Sequence, residues 1–195
     1  MMSGRKESIL KAAERSFALF GYKGTTMDQV AKIANVGKGT IYTFFKNKEE
    51  LFNEIIDQFI QRMKVIAEAA IDENDPFFVN LHRALYEILS FRKEHQFTIK
   101  ITQEVKEFGT LPAKQALGKF EDAILSFLEK HIQLAIDKGE LVKCDPKLTA
   151  FVMLRLYIAI VFEWEQRHEP LDKEEIASLF DLYFANGLEK NKKTC

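Results

Sequence analysis

The sequence has few residues that interrupt helices and little cysteine. Its 195 residues include only 9 glycines and 4 prolines, and so few favour long helices over many strands and turns. Its 2 cysteines, Cys144 and Cys195, build neither the disulfide framework of a small secreted domain nor a CxxC metal pair. A reducing, cytoplasmic location is therefore the expected one.

Segments typical of export or membrane insertion are also missing. The stretch MMSGRKESIL at residues 1–10 lacks the apolar region of a signal peptide. The most apolar run, residues 148–162, contains Arg155 and is too short to span a bilayer comfortably. We interpret this run as a buried or interfacial helix and expect no membrane partner.

Charge is small in total but unevenly distributed. The net charge is −1, whereas residues 1–50 carry 9 lysines and arginines against 5 acidic residues. A basic N-terminal quarter on an acidic body is the asymmetry expected when one end of a protein meets a polyanion.

Apolar residues recur at helical spacing along the chain, and we find no alternating pattern that indicates strands. We expect an all-α fold of about nine helices. The expected helix starts are Thr26, Asp75-Pro76, Asp145-Pro146 and Asp172, the expected stops are Gly21, Asn35 and Gly139, and the last two helices should reach about Arg167 and Glu189. The 17 phenylalanines need a core, a pocket or an interface to bury them.

The run Gly37-Lys38-Gly39-Thr40 resembles a phosphate-binding loop at first sight. A P-loop requires Gly-x4-Gly-Lys-Ser/Thr after a buried strand. Here Lys32 stands where the first glycine belongs, Gly39 follows Lys38 in place of Ser or Thr, and a helix comes before. The nucleotide-binding interpretation therefore fails.

Two short predicted helices, at about 26–34 and 38–45, instead indicate a helix-turn-helix, in which the first helix braces across the DNA backbone and the second lies in the major groove. The turn between them is Asn35-Val36-Gly37. The predicted packing side is Met27, Val30, Ala31, Val36, Ile41 and Phe45. The predicted outward side is Lys38, Thr40, Tyr42 and Thr43, whose polar groups suit base edges and phosphate oxygens.

These residues, TTMDQVAKIANVGKGTIYTFFKNKEELF at 25–52, closely resemble the DNA-binding domain of TetR-family transcriptional repressors. The resemblance is densest over residues 9–55, and its most specific part is the spaced set Gly39, Thr40, Tyr42, Phe45, Lys48 and Leu51. It implies a DNA-binding domain at residues 1–50, with the helix-turn-helix at about 26–45. It also implies a helical effector-binding and dimerisation domain at residues 51–195.

The residues that the pattern and the resemblance assign to DNA contact are Thr25, Thr26, Gly37, Lys38, Gly39, Thr40, Tyr42, Thr43, Lys46 and Lys48. Gly39 is expected to let the recognition helix approach the groove closely. Lys48 is expected to place a cation at the start of the fourth helix, where N–H groups already favour phosphate.

The sequence departs from the usual family pattern at three positions. Asn35 stands where glycine is common, and left-handed geometry tolerates it. Gly37 stands where Ser or Thr usually caps the recognition helix, and Phe44 replaces a frequent His or Tyr. The last two departures bear on details of DNA contact and not on the fold.

The resemblance further implies a ligand pocket among the fourth to eighth helices and a dimer interface on the last two. Candidate pocket residues are Met63, Phe77, Phe78, Phe91, Phe97, Phe108, Phe120, Phe127 and Trp164, and their aromatic character favours an apolar or aromatic effector. Candidate interface residues are Leu154, Tyr157, Ile158, Val161, Leu179, Leu182 and Tyr183. Ordinary intramolecular core remains an alternative for every residue in both sets.

Three functions follow in order of support. The first is a homodimeric regulator that acts as a repressor on a palindromic double-stranded operator. A dimer is expected because one DNA-binding domain, called a head below, covers only one half-site of the operator. The second is a helical small-molecule binding protein without specific DNA recognition. The third is an enzyme, for which the sequence offers no catalytic signature, and no catalytic residue, metal ligand or cofactor is assigned.

Overall fold

The computed structural model describes residues 2–90 and 92–185. Within these ranges the chain forms nine α-helices and no β-strand, which confirms the all-α class. The helices are α1 (Met2–Gly24), α2 (Met27–Ile33), α3 (Lys38–Phe44), α4 (Lys48–Ala69), α5 (Phe77–Ser90), α6 (Arg92–Glu107), α7 (Leu111–Asp137), α8 (Pro146–Ile158) and α9 (Lys173–Phe180).

Several helix ends lie where local chemistry places them. Thr26 has an extended backbone before α2, and its hydroxyl accepts the Gln29 N–H at 3.2 Å. Asn35 adopts a left-handed φ of 53° in the turn after α2. Asp145 accepts the Lys147 N–H at 2.9 Å ahead of α8. The predictions at Thr26, Asn35 and Asp145 are confirmed.

Helix α5 begins differently from the prediction of an Asp75 cap. The Phe77 N–H donates to the Glu140 carboxylate at 2.7 Å. The Asp75 carboxylate instead pairs with the Arg83 guanidinium. The cap therefore comes from a residue that lies far along the chain, and the local sequence around Asp75 cannot reveal it.

The helix predicted from residue 146 to about 167 is α-helical only as far as Ile158. It continues through a π-helical turn, Ala159–Glu163, and a short 3-10 turn, Trp164–Gln166. Helix α9 likewise continues through a π-helical turn, Asp181–Ala185. The predicted end of the last helix near Glu189 lies outside the described residues.

The chain divides into two compact units, residues 1–62 with 92–120 and residues 63–91 with 121–195. The predicted boundary between the DNA-binding domain, residues 1–50, and the effector-binding and dimerisation domain, residues 51–195, stays a prediction. Over the two described ranges, the helices include none that is both long and apolar enough to cross a membrane.

Aromatic rings form the core of the first unit. The Phe17 and Phe52 rings meet edge to face with centroids 4.8 Å apart. The Phe59 ring lies 5.6 Å from that of Phe97 and 5.1 Å from that of Phe120. All five side chains are buried, and each contributes about 1.5–3 kcal/mol of hydrophobic stabilisation. This series of rings joins α1, which leads into the helix-turn-helix, to α4, α6 and α7.

The second unit has a separate buried cluster. It contains Phe77 and Phe78 from α5, Ile132 from α7, Met153 from α8 and Phe180 from α9. These contacts hold the four helices together.

Candidate nucleic-acid interface

Helices α2 and α3 and the turn between them form the predicted helix-turn-helix. The Val36 N–H donates to the Ala31 carbonyl at 3.0 Å, and α3 begins directly after Gly37. The packing side is buried at Met27, Val30, Ala31, Ile41 and Phe45 and half-buried at Val36. The predicted packing side is therefore confirmed, with Val36 at its edge.

The opposite side of the motif faces solvent. The exposed residues among those assigned to DNA contact are Thr26, Gly37, Lys38, Gly39, Tyr42, Thr43 and Lys46. Tyr42 is 45% exposed on α3, and Thr40 beside it is half-buried. The structure leaves these surfaces open, and their contact with DNA stays a prediction.

The two glycines at the start of α3 are not required by the packing of this chain. A Cβ atom on Gly39 meets nothing within 4 Å, and one on Gly37 comes only to 3.7 Å from the Thr40 hydroxyl. Gly37 has a φ of −66°, which other residues adopt readily. The absence of side chains here leaves room for a partner to approach the backbone of α3 closely.

Thr25 lies inside the protein and not on the DNA-facing surface. It is 0% exposed, and its hydroxyl donates to the Gly21 carbonyl at 2.8 Å and lies 3.2 Å from the Ser16 hydroxyl. The prediction of a DNA contact is therefore wrong for Thr25, because its polar groups are used where DNA cannot reach.

Lys48 begins α4 as predicted, but its ammonium faces the protein. Its Nζ donates to the carbonyl oxygens of Tyr22 at 2.8 Å and Thr25 at 2.9 Å and lies 4.3 Å from the centroid of the Tyr22 ring. Burial lowers the pKa of Lys48, and the nearby Glu104 carboxylate opposes that shift. Two of the three ammonium donors are used internally, and a phosphate contact from Lys48 stays a prediction.

Lys38, at the start of α3, is held by Asp28 of α2. The Nζ of Lys38 lies 2.9 Å from Oδ2 of Asp28, and both side chains are more than half exposed. The hydrogen bond from Lys38 and the charge of Asp28 raise the pKa of the lysine. Exposed ion pairs are weak, so a phosphate group can displace this carboxylate.

We expect the substitution Asp28→Asn to tighten DNA binding. Removing the carboxylate frees Lys38 and takes a negative charge from the outward side of the motif, so affinity should rise roughly two- to fivefold at low salt. Fluorescence anisotropy with duplex DNA selected by the wild-type protein measures this change across a salt series.

The matched control for this test is Asp57→Asn. It removes the exposed partner of Lys119, 2.8 Å away, on α4 of the same unit. Its DNA affinity should equal that of the wild type. Unchanged or weaker binding by Asp28→Asn would show that Lys38 does not meet phosphate.

A groove of about 600 Å³ beside α2 was not indicated by the sequence pattern. Its lining residues are Arg15, Leu19, Phe20, Thr26, Asp28, Gln29, Lys32 and Ile33. Arg15 and Lys32 are exposed and extend the basic surface next to Thr26. Their only signal in the sequence is the excess of positive charge over residues 1–50.

The residues predicted to line a ligand pocket are distributed over both units. Phe97 and Phe120 belong to the ring series of the first unit, and Phe77 and Phe78 to the cluster of the second. Of the others, Met63 and Phe127 are half-buried, Phe108 and Trp164 are exposed, and Phe91 lies outside the described residues.

A groove of about 550 Å³ in the second unit is lined by Phe78, Val79, His82, Arg83, Tyr86 and Asp181. The effector pocket stays a prediction.

The predicted dimer residues are not all available to a partner. Leu154 and Val161 are 3% and 8% exposed, and Val161 packs in the buried cluster of its own unit. The prediction of an intermolecular contact is wrong for these two, because their own protomer covers them. Tyr157, Ile158 and Leu179 are half-buried and Leu182 and Tyr183 are exposed.

Helix α8 presents a different apolar face to solvent. Leu148, Phe151 and Val152 are 61%, 44% and 46% exposed, and residues at this spacing share one side of a helix. The Arg155 guanidinium lies 5.0 Å from the Phe151 ring and pairs with Glu121 at 3.3 Å. We define Leu148, Phe151 and Val152 as the α8 stripe. Sequence reasoning missed it because this run is apolar on nearly every side.

A helix-turn-helix with an open outer side, followed by a helical body, defines a DNA-binding regulator of transcription. Residues 9–55 match the sequence profile described as bacterial regulatory proteins, tetR family. The chain is 56% identical over 191 residues to the uncharacterized HTH-type transcriptional regulator YhgD of Bacillus subtilis (strain 168), covering 98% of this chain and 100% of that one. The chain therefore belongs to the tetR family, whose members are regulators of transcription and not enzymes.

More distant proteins are similar over most of the chain. The fatty acid metabolism regulator protein of Bacillus subtilis (strain 168) is 30% identical over 171 residues, covering 84% of this chain and 85% of that one. The SmeT–triclosan complex superposes with a TM-score of 0.76 at 20% identity, covering 99% and 95% of the two chains. AibR in complex with isovaleryl coenzyme A and operator DNA gives a TM-score of 0.65 at 21% identity, covering 92% and 98%. These two structures share the fold.

Proposed function

We propose that the chain is a homodimeric transcriptional repressor that binds a palindromic double-stranded operator and releases it when a small apolar or aromatic effector binds. Residues 1–50 contact DNA, and residues 51–195 bind the effector and the partner protomer. The observation that carries the proposal is the open outer side of α3, where Lys38 and Tyr42 flank a glycine that the packing does not require.

The α8 stripe supports the dimer. Three large apolar side chains on one face of a helix are costly to leave in water, and a second copy of the chain would cover them. Leu182 and Tyr183, which are 57% and 61% exposed, extend the same proposal to the residues after α9. Two heads on one operator gain affinity and specificity that a single head lacks.

Three relatives support an effector that has an apolar part. One regulates fatty acid metabolism, one is solved with triclosan, and one is solved with isovaleryl coenzyme A and operator DNA. The abundant phenylalanine of this chain supplies matching surface, and we propose the aromatic residues predicted from the sequence as the first candidates for its lining.

Effector and operator oppose each other because they favour different arrangements of the two heads. A ligand that weakens operator binding by a given factor is itself bound more weakly by the same factor in the presence of operator.

The test of the proposal is selection from a pool of random duplexes. The purified protein should enrich a palindromic sequence and bind it far above random DNA of equal length. Triclosan and isovaleryl coenzyme A then serve as first probes of release, and mass spectrometry of the purified protein identifies any bound small molecule. If the protein shows only salt-sensitive binding without sequence preference, the repressor proposal is wrong and the small-molecule binding protein remains.

A further inference from the structure

Glu104 of α6 is an unusual residue in this chain. It is 3% exposed, and among the residues that the structure describes it is the one acidic or basic residue that is buried. Burying a carboxylate is costly unless several donors satisfy it, so its partners show what the burial achieves.

Those partners tie α6 to the end of α1. The Lys23 N–H donates to Glu104 at 3.0 Å from Oε1 and 3.2 Å from Oε2. The Thr110 hydroxyl donates to Oε1 at 2.8 Å. The Lys23 ammonium also lies 4.0 Å from the centroid of the Phe108 ring, just after α6. Lys23 is therefore held through both its backbone and its side chain.

Gly21 leaves space for the Glu104 carboxylate because it has no side chain. It has a φ of 71° and a ψ of −178°, which place a kink inside α1. A Cβ atom at this position would lie 2.3 Å from Oε2 of Glu104. Glycine is thus required here twice, once for its positive φ and once for the close approach of the carboxylate.

Lys48 holds the same segment from another side. Its ammonium donates to the carbonyl oxygens of Tyr22 and Thr25, whereas the Glu104 carboxylate accepts from the N–H of Lys23. The backbone of residues 21–25 is therefore held both at carbonyl oxygens and at an N–H group. The next residue, Thr26, caps α2, so this segment sets the direction in which the helix-turn-helix leaves α1.

We propose that Glu104 is a positioning residue for DNA binding, which fixes the orientation of α2 and α3 by holding the segment 21–25. It acts without touching DNA and from a helix that lies 81 residues further along the chain. The proposal rests on the operator binding proposed above, and the wild-type titration tests that binding separately.

Removing the Glu104 carboxylate should therefore lower the affinity for the operator without removing any contact to DNA. A head that moves freely must be ordered when it binds, and that ordering opposes binding. Because a dimer carries two heads, we expect Glu104→Ala to weaken binding to the wild-type selected operator by roughly tenfold or more. It should also tolerate altered spacing between half-sites better than the wild type does.

A short series of variants separates the effect of Glu104 as a hydrogen-bond acceptor from the effect of its negative charge. Both the shorter Lys23 bond and the Thr110 bond end on Oε1, so Glu104→Gln can keep them and should bind the operator nearly as well as the wild type. Glu104→Asp keeps the charge, but its shorter side chain does not reach the Lys23 N–H, and so it should bind the operator as weakly as Glu104→Ala. Glu107→Ala, at an exposed position of the same helix, is the matched control and should change nothing.

Hydrogen exchange at the Lys23 amide reports the contact directly. It should accelerate in Glu104→Ala and Glu104→Asp, and should keep the wild-type rate in Glu104→Gln. Operator affinity should follow this rate across the series, while the protein remains folded and dimeric. If Glu104→Ala does not fold, Thr110→Val replaces it, because it removes a single donor to Oε1.

Two results would overturn the proposal. One is operator affinity within twofold of the wild type in a variant whose Lys23 amide exchanges faster. The other is Glu104→Gln binding as weakly as Glu104→Ala, which would make the charge and not the acceptor responsible.

Discussion

Replacing Tyr42 with alanine should abolish most operator binding while leaving the protein folded and dimeric. Tyr42 is 45% exposed on the outer side of α3, so its truncation removes little packing. A contact to a base edge or phosphate is worth about 1–3 kcal/mol. The dimer loses this contact twice, and we expect affinity for the selected operator to fall by roughly a hundredfold or more. Fluorescence anisotropy measures the affinity, and light scattering and thermal unfolding check the dimer and the fold.

Tyr42→Phe is the matched control, because it keeps the ring and removes only the hydroxyl. An intermediate affinity would assign part of the effect to the hydroxyl and part to the ring. If Tyr42→Ala instead lowers the thermal midpoint strongly or dissociates the dimer, Tyr42 serves packing and our placement of the recognition surface is wrong.

The sequence predicted the helix-turn-helix well because its determinants are local. Thr26 caps α2 through a residue three positions away, and Asn35 adopts the left-handed turn that follows α2, both as predicted. The packing side of α2 and α3 also follows from helical spacing alone. The open outer side of α3 follows in turn, because it lies opposite the buried side.

The prediction was wrong at Thr25, which is buried against Gly21 and Ser16. Helical spacing does not reveal this burial, because Gly21 kinks α1 next to the buried carboxylate of Glu104, which comes from α6. Lys48 also turns inward, to carbonyl oxygens of Tyr22 and Thr25, and its contact with phosphate stays a prediction.

Helix α8 shows a second kind of limit. Its side chains are apolar on nearly all sides, so hydrophobic spacing does not reveal which side faces the core. Leu154 and Val161 were assigned to a partner and are buried, whereas Phe151 and Val152 are exposed. Only packing against the other helices of the unit settles the rotation of such a helix about its axis.

The exposed face of α8 leads to the second large effect. We expect Phe151→Glu to convert the protein into a monomer and to weaken operator binding by roughly a hundredfold or more, because linked heads gain about this much over single ones. In a twofold interface the same patch meets its own copy, so a carboxylate on the α8 stripe would be buried against apolar side chains. In the monomer the introduced carboxylate would instead face water and stand one turn from Arg155, which keeps the fold intact. Sedimentation velocity at micromolar concentration measures the dissociation.

Leu134→Glu is the matched control for Phe151→Glu. Leu134 is 47% exposed on α7, outside the proposed interface, and the same change there should leave both the dimer and the operator affinity intact. If both variants stay dimeric, the α8 stripe is not the interface, and Leu182 and Tyr183 become the next positions to test. If Phe151→Glu is monomeric yet binds the operator as tightly as the wild type, two linked heads are not needed, and the proposed reason for dimerisation fails. A monomer that has lost operator binding but still exchanges its Lys23 amide at the wild-type rate would show that dimerisation and the Glu104 contact contribute to DNA binding independently.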